Sequence, residues 1–355
     1  MGLLPTVESW EAEVEEFRRT VVACAALHRR KDDEGLPKSA LPLEADGGDE
    51  GTMVCVTSGV SYLGMALANQ LLLQGYSVRI TVHNSDDMEK LREMERTRGD
   101  NLQVVMANLT DVQSLRTAFD GCRGVFHTSA FTDPAGLSGY TKSMAEIEVR
   151  ATQNVMEACA TTPSVKKCVF TSSLSACLWQ DNARPDVPSV INHASWSSES
   201  LCIDSKLWYA LGKTRAEKRA WKIAAEQGLQ LATICPALIT GPEFCRRNPT
   251  ATIAYLKGAQ EMYSHGLLAT VDVVKVAEAH VCVYKAMDGT ASGRYVCFDR
   301  VIDSPREAEK LAKQTGMPVD KICGNQTPAH PYRIALSNQK LCRLMSRPLT
   351  CYSQY

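Results

Sequence analysis

Tyr209 and Lys213 are the residues whose types and spacing best fit a chemical reaction. A phenol and an ammonium group four residues apart on a helix lie on the same face, about one turn from each other. The ammonium group would stabilise a tyrosinate, lower the pKa of the phenol and make Tyr209 a usable proton donor near neutral pH. Such a pair can protonate a carbonyl oxygen while hydride reaches the carbon. Because a Tyr-x-x-x-Lys spacing alone is common, the interpretation depends on the segments that precede it.

Length, charge and composition exclude several classes of protein. The chain has 355 residues and a formal net charge of -1, so it can bury a large core but carries no basic field for nucleic acid. Its 14 cysteines show no spacing typical of a zinc site, which predicts reduced, mostly buried thiols and no metal. No apolar run reaches membrane-spanning length, and the N-terminus is too acidic for a targeting peptide. We therefore expect a soluble, cytoplasmic protein.

Residues 1–50 are predicted to form a segment separate from the rest of the chain. In residues 8–30, apolar side chains such as Trp10 and Phe17 recur at helical spacing among charged ones, which predicts an amphipathic helix. Residues 31–50 have the polar composition of a solvated linker. The helix could pack loosely on the body or bind a protein partner, and amphipathicity alone does not distinguish these alternatives.

From Met53 onward, short β-branched segments alternate with helical segments. This alternation predicts an α/β fold, in which a doubly wound parallel sheet has helices on both faces and binds ligands at the carboxyl ends of its strands. We expect the cofactor and the catalytic residues in residues 51–240, and a smaller substrate-binding region with one short strand in residues 241–355. The predicted strands are Met53–Thr57, Tyr76–Val82, Gln103–Ala107, Gly124–His127, Lys167–Thr171, Leu229–Cys235 and, in the substrate-binding region, Gly293–Phe298.

The segment after the first predicted strand carries a resemblance to a known family. Val56-Thr57-Ser58-Gly59-Val60-Ser61-Tyr62-Leu63-Gly64 is similar to the Thr-Gly-x-x-Gly-x-x-Gly turn of extended short-chain dehydrogenases/reductases. Phe170-Thr171-Ser172-Ser173 and the Tyr209/Lys213 pair resemble that family's catalytic Ser, Tyr and Lys. The resemblance implies a Rossmann-type fold with NADP(H) as the cofactor.

Other segments narrow the resemblance to plant cinnamoyl-CoA reductases and dihydroflavonol reductases. With the segments above they cover about residues 53–345, nearly all of the body. These segments are Gly124-Val125-Phe126-His127-Thr128, Cys168-Val169-Phe170-Thr171-Ser172-Ser173, Trp208-Tyr209-Ala210-Leu211-Gly212-Lys213 and Pro236-Ala237-Leu238-Ile239-Thr240-Gly241-Pro242.

The resemblance assigns cofactor binding to residues at the carboxyl ends of the strands. Gly59 and Gly64 would permit close approach of the chain to pyrophosphate, which the N–H groups at the start of the next helix would face. Ser58 and Ser61 replace two of the family's three glycines, and a serine at a position that needs a positive φ is costly. The residues implied to bind the cofactor are Thr57, Gly59, Ser61, Tyr62, Leu63, Gly64, His83, Lys90, Asn108, Leu109, Thr128, Tyr209, Lys213 and Pro236.

His83 and Lys90 stand where NADP-binding members of the family have Arg and Lys near the 2′-phosphate. No Asp or Glu stands at position 83 to select the free ribose hydroxyl, so NADP is favoured over NAD. Lys90 fits a solvated helix surface equally well. Asn108-Leu109 replaces the Asp-Leu that holds adenine, and an amide can still hydrogen-bond an amino group.

The resemblance also implies a role for each catalytic residue. Ser173, with Ser172 as the alternative, would donate a hydrogen bond to the substrate carbonyl. Tyr209 would protonate the oxygen, and Lys213 would hold the ribose hydroxyls of the nicotinamide.

Three functions remain open. The leading one is NADP(H)-dependent reduction of a hydroxycinnamoyl-CoA-type thioester to the aldehyde, in phenylpropanoid or lignin metabolism. The second is reduction of a free ketone or aldehyde such as a flavonoid. The third is a weakly active or non-catalytic regulatory protein that binds the cofactor, suggested by Ser58, Ser61, His83 and Asn108. Retention of the Ser, Tyr and Lys set argues against the third.

Overall fold

The computed structural model describes residues 53–89, 91, 101–128, 140–180, 190–324 and 334–346, apart from the side chains of residues 246 and 247. All of these residues belong to one compact unit, Asp49–Tyr355. The helix predicted over residues 8–30 lies outside the described residues.

The strands and helices of the described part are numbered in chain order. The strands are β1 (Met53–Thr57), β2 (Ser77–Val82), β3 (Leu102–Met106), β4 (Gly124–His127), β5 (Lys167–Thr171), β6 (Val190–Ile191), β7 (Gln230–Pro236), β8 (Leu238–Thr240), β9 (Ala269–Asp272), β10 (Gly293–Cys297), β11 (Arg300–Val301) and β12 (Ala335–Leu336). The helices are α1 (Tyr62–Leu73), α2 (Val112–Phe119), α3 (Lys142–Thr161), α4 (Ser175–Leu178), α5 (Glu199–Asp204), α6 (Trp208–Gln227), α7 (Phe244–Arg247), α8 (Pro249–Tyr255), α9 (Ala259–His265), α10 (Val273–Ala286), α11 (Pro305–Thr315), α12 (Val319–Cys323) and α13 (Gln339–Met345).

A seven-stranded sheet forms the centre of the unit, and every pair of neighbouring strands in it is parallel. Its order is β3-β2-β1-β4-β5-β7-β10, so the chain builds outward from β1 to one edge and then from β4 to the other. Sheets of this topology bind ligands where the order reverses, which here is the crevice between β1 and β4. The predicted α/β class and doubly wound parallel sheet are confirmed.

The predicted strands of the cofactor part differ from the observed ones by no more than one residue at either end. The strand predicted over Gly293–Phe298 is β10, but its predicted place on the substrate side is wrong. It pairs in parallel with β7 and completes the central sheet. The physical reason lies in its side chains, which are buried at four of five positions and therefore require cover on both faces.

Helices cover both faces of the central sheet. On one face, α2, α3 and α6 pack on a cluster of buried apolar residues that includes Cys55, Leu115, Val125, Met156 and Ile223. On the other face, α1 packs against α10, and α10 contacts β5 and β7. Two smaller sheets, β11-β9-β8 and β12-β6, connect the C-terminal residues to this framework. None of the helices in the described ranges is both long and apolar enough to span a bilayer.

Candidate active site

Tyr209 and Lys213 stand one turn apart near the start of α6, which comes after β5, α4, β6 and α5 in the chain. The Lys213 Nζ atom is 5.8 Å from the centroid of the Tyr209 ring, so the two groups share one face of the helix. The Lys213 side chain is only 3% exposed. Its ammonium group therefore acts on the phenol with little screening by solvent.

The turn after β5 aims two neighbouring serines at different partners. The Ser173 hydroxyl hydrogen-bonds to Tyr209, and its Oγ atom is 2.7 Å from that of Ser175. The Ser172 hydroxyl instead donates to Glu217 Oε2 at 2.6 Å. The structure thus brings Ser173, and not the alternative Ser172, to the phenol.

The pKa of Tyr209 is raised above its ordinary value, chiefly because burial disfavours the phenolate. The Lys213 ammonium group and the hydrogen bond with Ser173 lower this pKa, while the nearby carboxylate of Glu148 raises it. The prediction that Lys213 acts to lower the pKa of Tyr209 is confirmed. The expectation of a lowered pKa is wrong, because burial and Glu148 outweigh that effect. Tyr209 is consequently a protonated phenol throughout the neutral range.

Glu148 is a component of the site that sequence reasoning missed. It lies on α3 with its side chain 3% exposed, and its Oε1 atom is 2.5 Å from Lys213 Nζ. The hydroxyl of Tyr140 donates to its other carboxylate oxygen. One sequence signal could have found it: Glu148 occupies the same helical stripe as Ala145 and Thr152, both buried, and a carboxylate on such a stripe requires a buried partner.

The turn after β1 has the strain that the sequence predicts for its first serine. Ser58 has a φ of 52°, in the left-handed region that favours glycine. The two retained glycines are required by packing of the turn itself. A Cβ atom on Gly59 would lie 1.9 Å from Ile80 Cγ2, and one on Gly64 would lie 2.4 Å from the Ser58 carbonyl oxygen.

The first turn of α1 offers backbone donors to an anion. Ser61 caps the helix, with its Oγ atom accepting from the Gly64 N–H at 3.1 Å, so that donor is used inside the protein. Tyr62 and Leu63 are the first two residues of α1. Their backbone N–H groups come before the first i→i−4 hydrogen bond of the helix, at the end where the helix dipole favours negative charge. The Tyr62 hydroxyl donates to the Pro242 carbonyl at 3.2 Å. The turn therefore fits a pyrophosphate at residues 62 and 63.

The residues predicted to meet the adenosine end of the cofactor follow β2 and β3. His83 is exposed directly after β2, and Lys90 lies outside the described residues. Asn108 is exposed after β3, and its Oδ1 atom accepts from both the N–H and the hydroxyl of Thr110 at 2.9 Å. Leu109 packs, half-buried, against the core. The carboxyl ends of the two strands thus present a histidine and an amide on the same side of the crevice.

Thr57 and Thr128 tie the ends of β1 and β4 together. The Thr128 hydroxyl donates to the Thr57 carbonyl at 2.5 Å, and the Thr128 N–H donates to Thr57 Oγ1 at 3.2 Å. The same Oγ1 atom is 2.9 Å from His127 Nδ1. Burial, assisted by the Lys213 charge, lowers the pKa of His127 to about 3, so this ring is neutral. These groups shape the floor of the crevice.

Pro236 ends β7 and holds the catalytic turn in place. Its carbonyl oxygen accepts from the N–H of Leu174, the residue after Ser173, at 2.7 Å. It also pairs with Cys297 of β10. Its predicted contact with the nicotinamide ring stays a prediction.

A buried ion pair that the sequence reasoning did not identify lies beneath the site. Glu217 is 0% and Arg294 6% exposed, and their side chains make two hydrogen bonds, of 2.8 and 3.2 Å. Ser172 and Thr233 donate to the same carboxylate, each at 2.6 Å. The Arg294 guanidinium lies 3.6 Å from the centroid of the Trp196 ring. The sequence signal for this pair was the position of Arg294 in an otherwise apolar predicted strand.

A pocket of about 460 Å³ lies beside Tyr209. Its lining is largely aromatic and aliphatic, with the exposed cations of Lys257 and Lys321 among the lining residues. A larger pocket of about 630 Å³, between β10 and α13, contains none of the predicted site residues. No group of His, Cys, Asp and Glu in the described part could hold a metal ion. The apolar members of the lining beside Tyr209 are Tyr140, Trp179, Leu207, Ala210, Ile253, Ala254, Tyr255, Leu256, Ala259 and Met317.

Comparison with known proteins places this geometry in a family context. The sequence pattern of the 3-beta hydroxysteroid dehydrogenase/isomerase family matches residues 55–307. The chain is 37% identical over 299 residues to cinnamoyl-CoA reductase 1 of Petunia hybrida, covering 82% of this chain and 86% of that protein. It is 34% identical over 277 residues to tetraketide alpha-pyrone reductase 1 of Arabidopsis thaliana, covering 76% and 83%. The crystal structure of vestitone reductase from alfalfa has the same fold, with a TM-score of 0.59 at 24% identity, covering 82% and 91%.

Proposed function

Because the chain belongs to the 3-beta hydroxysteroid dehydrogenase/isomerase family of extended short-chain dehydrogenases/reductases, we propose that it reduces a hydroxycinnamoyl-CoA-type thioester to the aldehyde. The predicted enzyme class, an NADP-dependent oxidoreductase, is confirmed by this membership. The substrate is our proposal. One observation carries it: Tyr209, Lys213 and Ser173 converge beside an aromatic pocket that has cations in its lining.

The pocket supports an aromatic thioester on two grounds. Its volume and its aromatic walls, including Trp179 and Tyr255, suit a planar phenylpropenoyl group. Lys257 and Lys321 supply ammonium groups that match the phosphates of CoA. A small neutral carbonyl compound would have no use for these two charges.

The residues present fit NADP. The start of α1, at Tyr62 and Leu63, would hold the pyrophosphate, and His83 would face the 2′-phosphate. Asn108 would hydrogen-bond adenine, and Lys213 would hold the ribose hydroxyls of the nicotinamide. These assignments are proposals that follow from position at the carboxyl ends of the strands.

The candidate catalytic residues would share the work on the substrate oxygen. When bound, NADPH supplies the hydride that reaches the thioester carbon. Ser173 would donate a hydrogen bond to the carbonyl oxygen, which stabilises the charge that develops there. Tyr209 would give its proton to that oxygen, and Lys213 would stabilise the phenolate that remains. Collapse of the resulting hemithioacetal releases CoA as the thiol and leaves the aldehyde.

Reduction of a free ketone is the second candidate. It is favoured by the 34% identity to tetraketide alpha-pyrone reductase 1 and needs the same three side chains. Weak or absent turnover is the third candidate. It is suggested by the positive φ of Ser58, which strains the turn that would bind the cofactor.

Two measurements separate the candidates. Fluorescence titration with NADPH and NADH tests cofactor binding, and absence of binding at millimolar concentration would sink both reductase proposals. Rates with feruloyl-CoA are then compared with rates for a panel of aldehydes and ketones. Turnover of free carbonyl compounds but not of the thioester would select the second candidate.

We expect Tyr209→Phe to reduce turnover by at least about 100-fold, the usual contribution of a general acid. The matched control is Tyr263→Phe, which removes a hydroxyl from a buried tyrosine outside the pocket lining. The control should retain the parent rate. An unchanged rate in Tyr209→Phe would remove the mechanism.

The biological setting is part of the proposal. Relatives from Petunia hybrida and Arabidopsis thaliana support a role in plant phenylpropanoid or lignin metabolism. The cytoplasmic location, the division into residues 51–240 and 241–355, and a protein partner for residues 8–30 stay predictions from the sequence.

A further inference from the structure

Glu148 and Lys213 form a buried ion pair between α3 and α6, inside the candidate active site. Their Oε1 and Nζ atoms are 2.5 Å apart, and both side chains are 3% exposed. The hydroxyl of Tyr140, which lines the substrate pocket, donates to the second oxygen of the same carboxylate. One carboxylate therefore holds both the ammonium group beside Tyr209 and a second phenol.

Gly212 makes this arrangement possible. A Cβ atom there would lie 2.8 Å from the Tyr140 hydroxyl oxygen and 3.1 Å from Ala145 Cα, so a larger residue would push α3 away from α6. The Tyr140 ring meets the Tyr209 ring edge-on, with centroids 5.2 Å apart and planes at 90°. The carboxylate, the ammonium group and the two phenols are thus packed in direct succession.

We propose that Glu148 is a positioning residue for the reduction proposed above: its carboxylate fixes the Lys213 ammonium group and offsets that group's positive charge at the Tyr209 phenol. The role in reduction rests on the proposed function. An ammonium group has three N–H donors, so Lys213 can face the Glu148 carboxylate and still donate to ribose hydroxyls. The pair also explains why a charged lysine is stable at this depth, since each partner compensates the other.

The charges around the Tyr209 phenol come from several elements. His127 is neutral, because burial and Lys213 lower its pKa to about 3, and Glu217 is paired with Arg294. Lys213 and Glu148 therefore act on the pKa of Tyr209 as opposing charges, which lower and raise it respectively. The titratable groups concerned are Lys213 and Glu217 of α6, Glu148 of α3, Tyr140 before α3, His127 of β4 and Tyr255 of α8.

The test is Glu148→Gln, which removes the charge, keeps one oxygen to accept from Lys213 and places an amide NH2 group where it can donate to the Tyr140 hydroxyl. Glu146→Gln is the matched control, because it removes the same charge from an exposed position of the same helix. Full-length protein is labelled with ring-fluorinated tyrosine, whose more acidic phenol titrates while the protein stays folded. The Tyr209 resonance is assigned by its loss in Tyr209→Phe and followed against pH by fluorine NMR.

We expect Glu148→Gln to lower the pKa of the Tyr209 resonance by about one unit, the usual effect of a nearby like charge, and Glu146→Gln to leave it unchanged. In the pH profile of the carbonyl-reduction rate, the alkaline limb should move to lower pH by the same amount. An unchanged Tyr209 titration in folded Glu148→Gln overturns the proposal. Because the NMR titration needs no substrate, failure of every carbonyl compound as a substrate would overturn only the proposed function.

A second variant applies if Glu148→Gln does not fold. Lys213→Met/Glu148→Gln removes both charges, so no unpaired ion is left in the core. Since the two effects on Tyr209 oppose each other, its pKa should stay within about half a unit of the parent value. A shift of more than about one unit would show that Glu148 does not balance Lys213.

Discussion

Replacing Arg294 by Met would leave the Glu217 carboxylate without its cation inside the core. Glu217 is 0% exposed and receives two hydrogen bonds from the guanidinium, at 2.8 and 3.2 Å. Removing one partner of such a pair costs about 3–5 kcal/mol, because the charge that remains has neither a counterion nor water. The hydroxyls of Ser172 and Thr233 would still donate to the carboxylate, but they carry no charge to offset it.

The corresponding change in melting temperature can be estimated. For a large domain each kcal/mol changes Tm by roughly 2 °C, so Arg294→Met should melt about 6–10 °C below the parent. Glu217→Gln/Arg294→Met removes both charges, keeps an acceptor oxygen for one of the two hydroxyls and gives the other an amide NH2 donor. This double variant should therefore recover most of the loss.

Thermal and urea unfolding at neutral pH, followed by circular dichroism, measure both effects. Arg215→Met is the control, because Arg215 pairs with Glu199 at the surface, where their side chains are 41% and 33% exposed. That pair should contribute less than about 1 kcal/mol. A loss in Arg294→Met as small as that of the control, or a double variant no more stable than the single one, would refute the reasoning.

Two further predictions concern stability. Ser58→Gly should raise the free energy of unfolding by about 1 kcal/mol, because Ser58 has a φ of 52° that glycine adopts without strain; urea unfolding measures this, and an unchanged value would contradict the strain. Burial lowers the pKa of His280 to about 4, so its contribution to stability is complete above pH 6.5 and is lost as the pH falls towards 4. Between pH 6.5 and 5 this loss amounts to about 1.6 kcal/mol, since almost only the unfolded chain binds the proton. Urea unfolding at both pH values should show the loss in the parent and a smaller one in His280→Gln.

The sequence predicted the framework of the site because local patterns determine it. The strands around the crevice are short apolar runs, and their ends are marked by residues such as Gly59 and Pro236. The Tyr209/Lys213 spacing needs only a helix to bring the two groups together. Each of these features can be recognised within a few residues of the chain.

The charged partners inside the core could not be predicted in this way. Glu217 meets Arg294 across 77 residues of sequence, and Glu148 meets Lys213 across two different helices. Which carboxylate pairs with which cation depends on the packing of α3, α6 and β10. The prediction of a lowered Tyr209 pKa was wrong for the same reason, because the burial that raises this pKa exists only in the folded chain.

The central sheet does not end where the predicted cofactor part ends, and this limits how the protein can be recombined. β10 lies beyond residue 240 yet forms the last strand of the sheet and supplies the cation of Glu217. A fragment that stops at residue 240 would expose the edge of β7. It would also leave the Glu217 carboxylate in the core without its cation. Chimaeras that graft the substrate region of one relative onto the cofactor region of another must therefore take Glu217 and Arg294 from the same parent. The two predicted parts of the chain thus share one sheet and one buried ion pair.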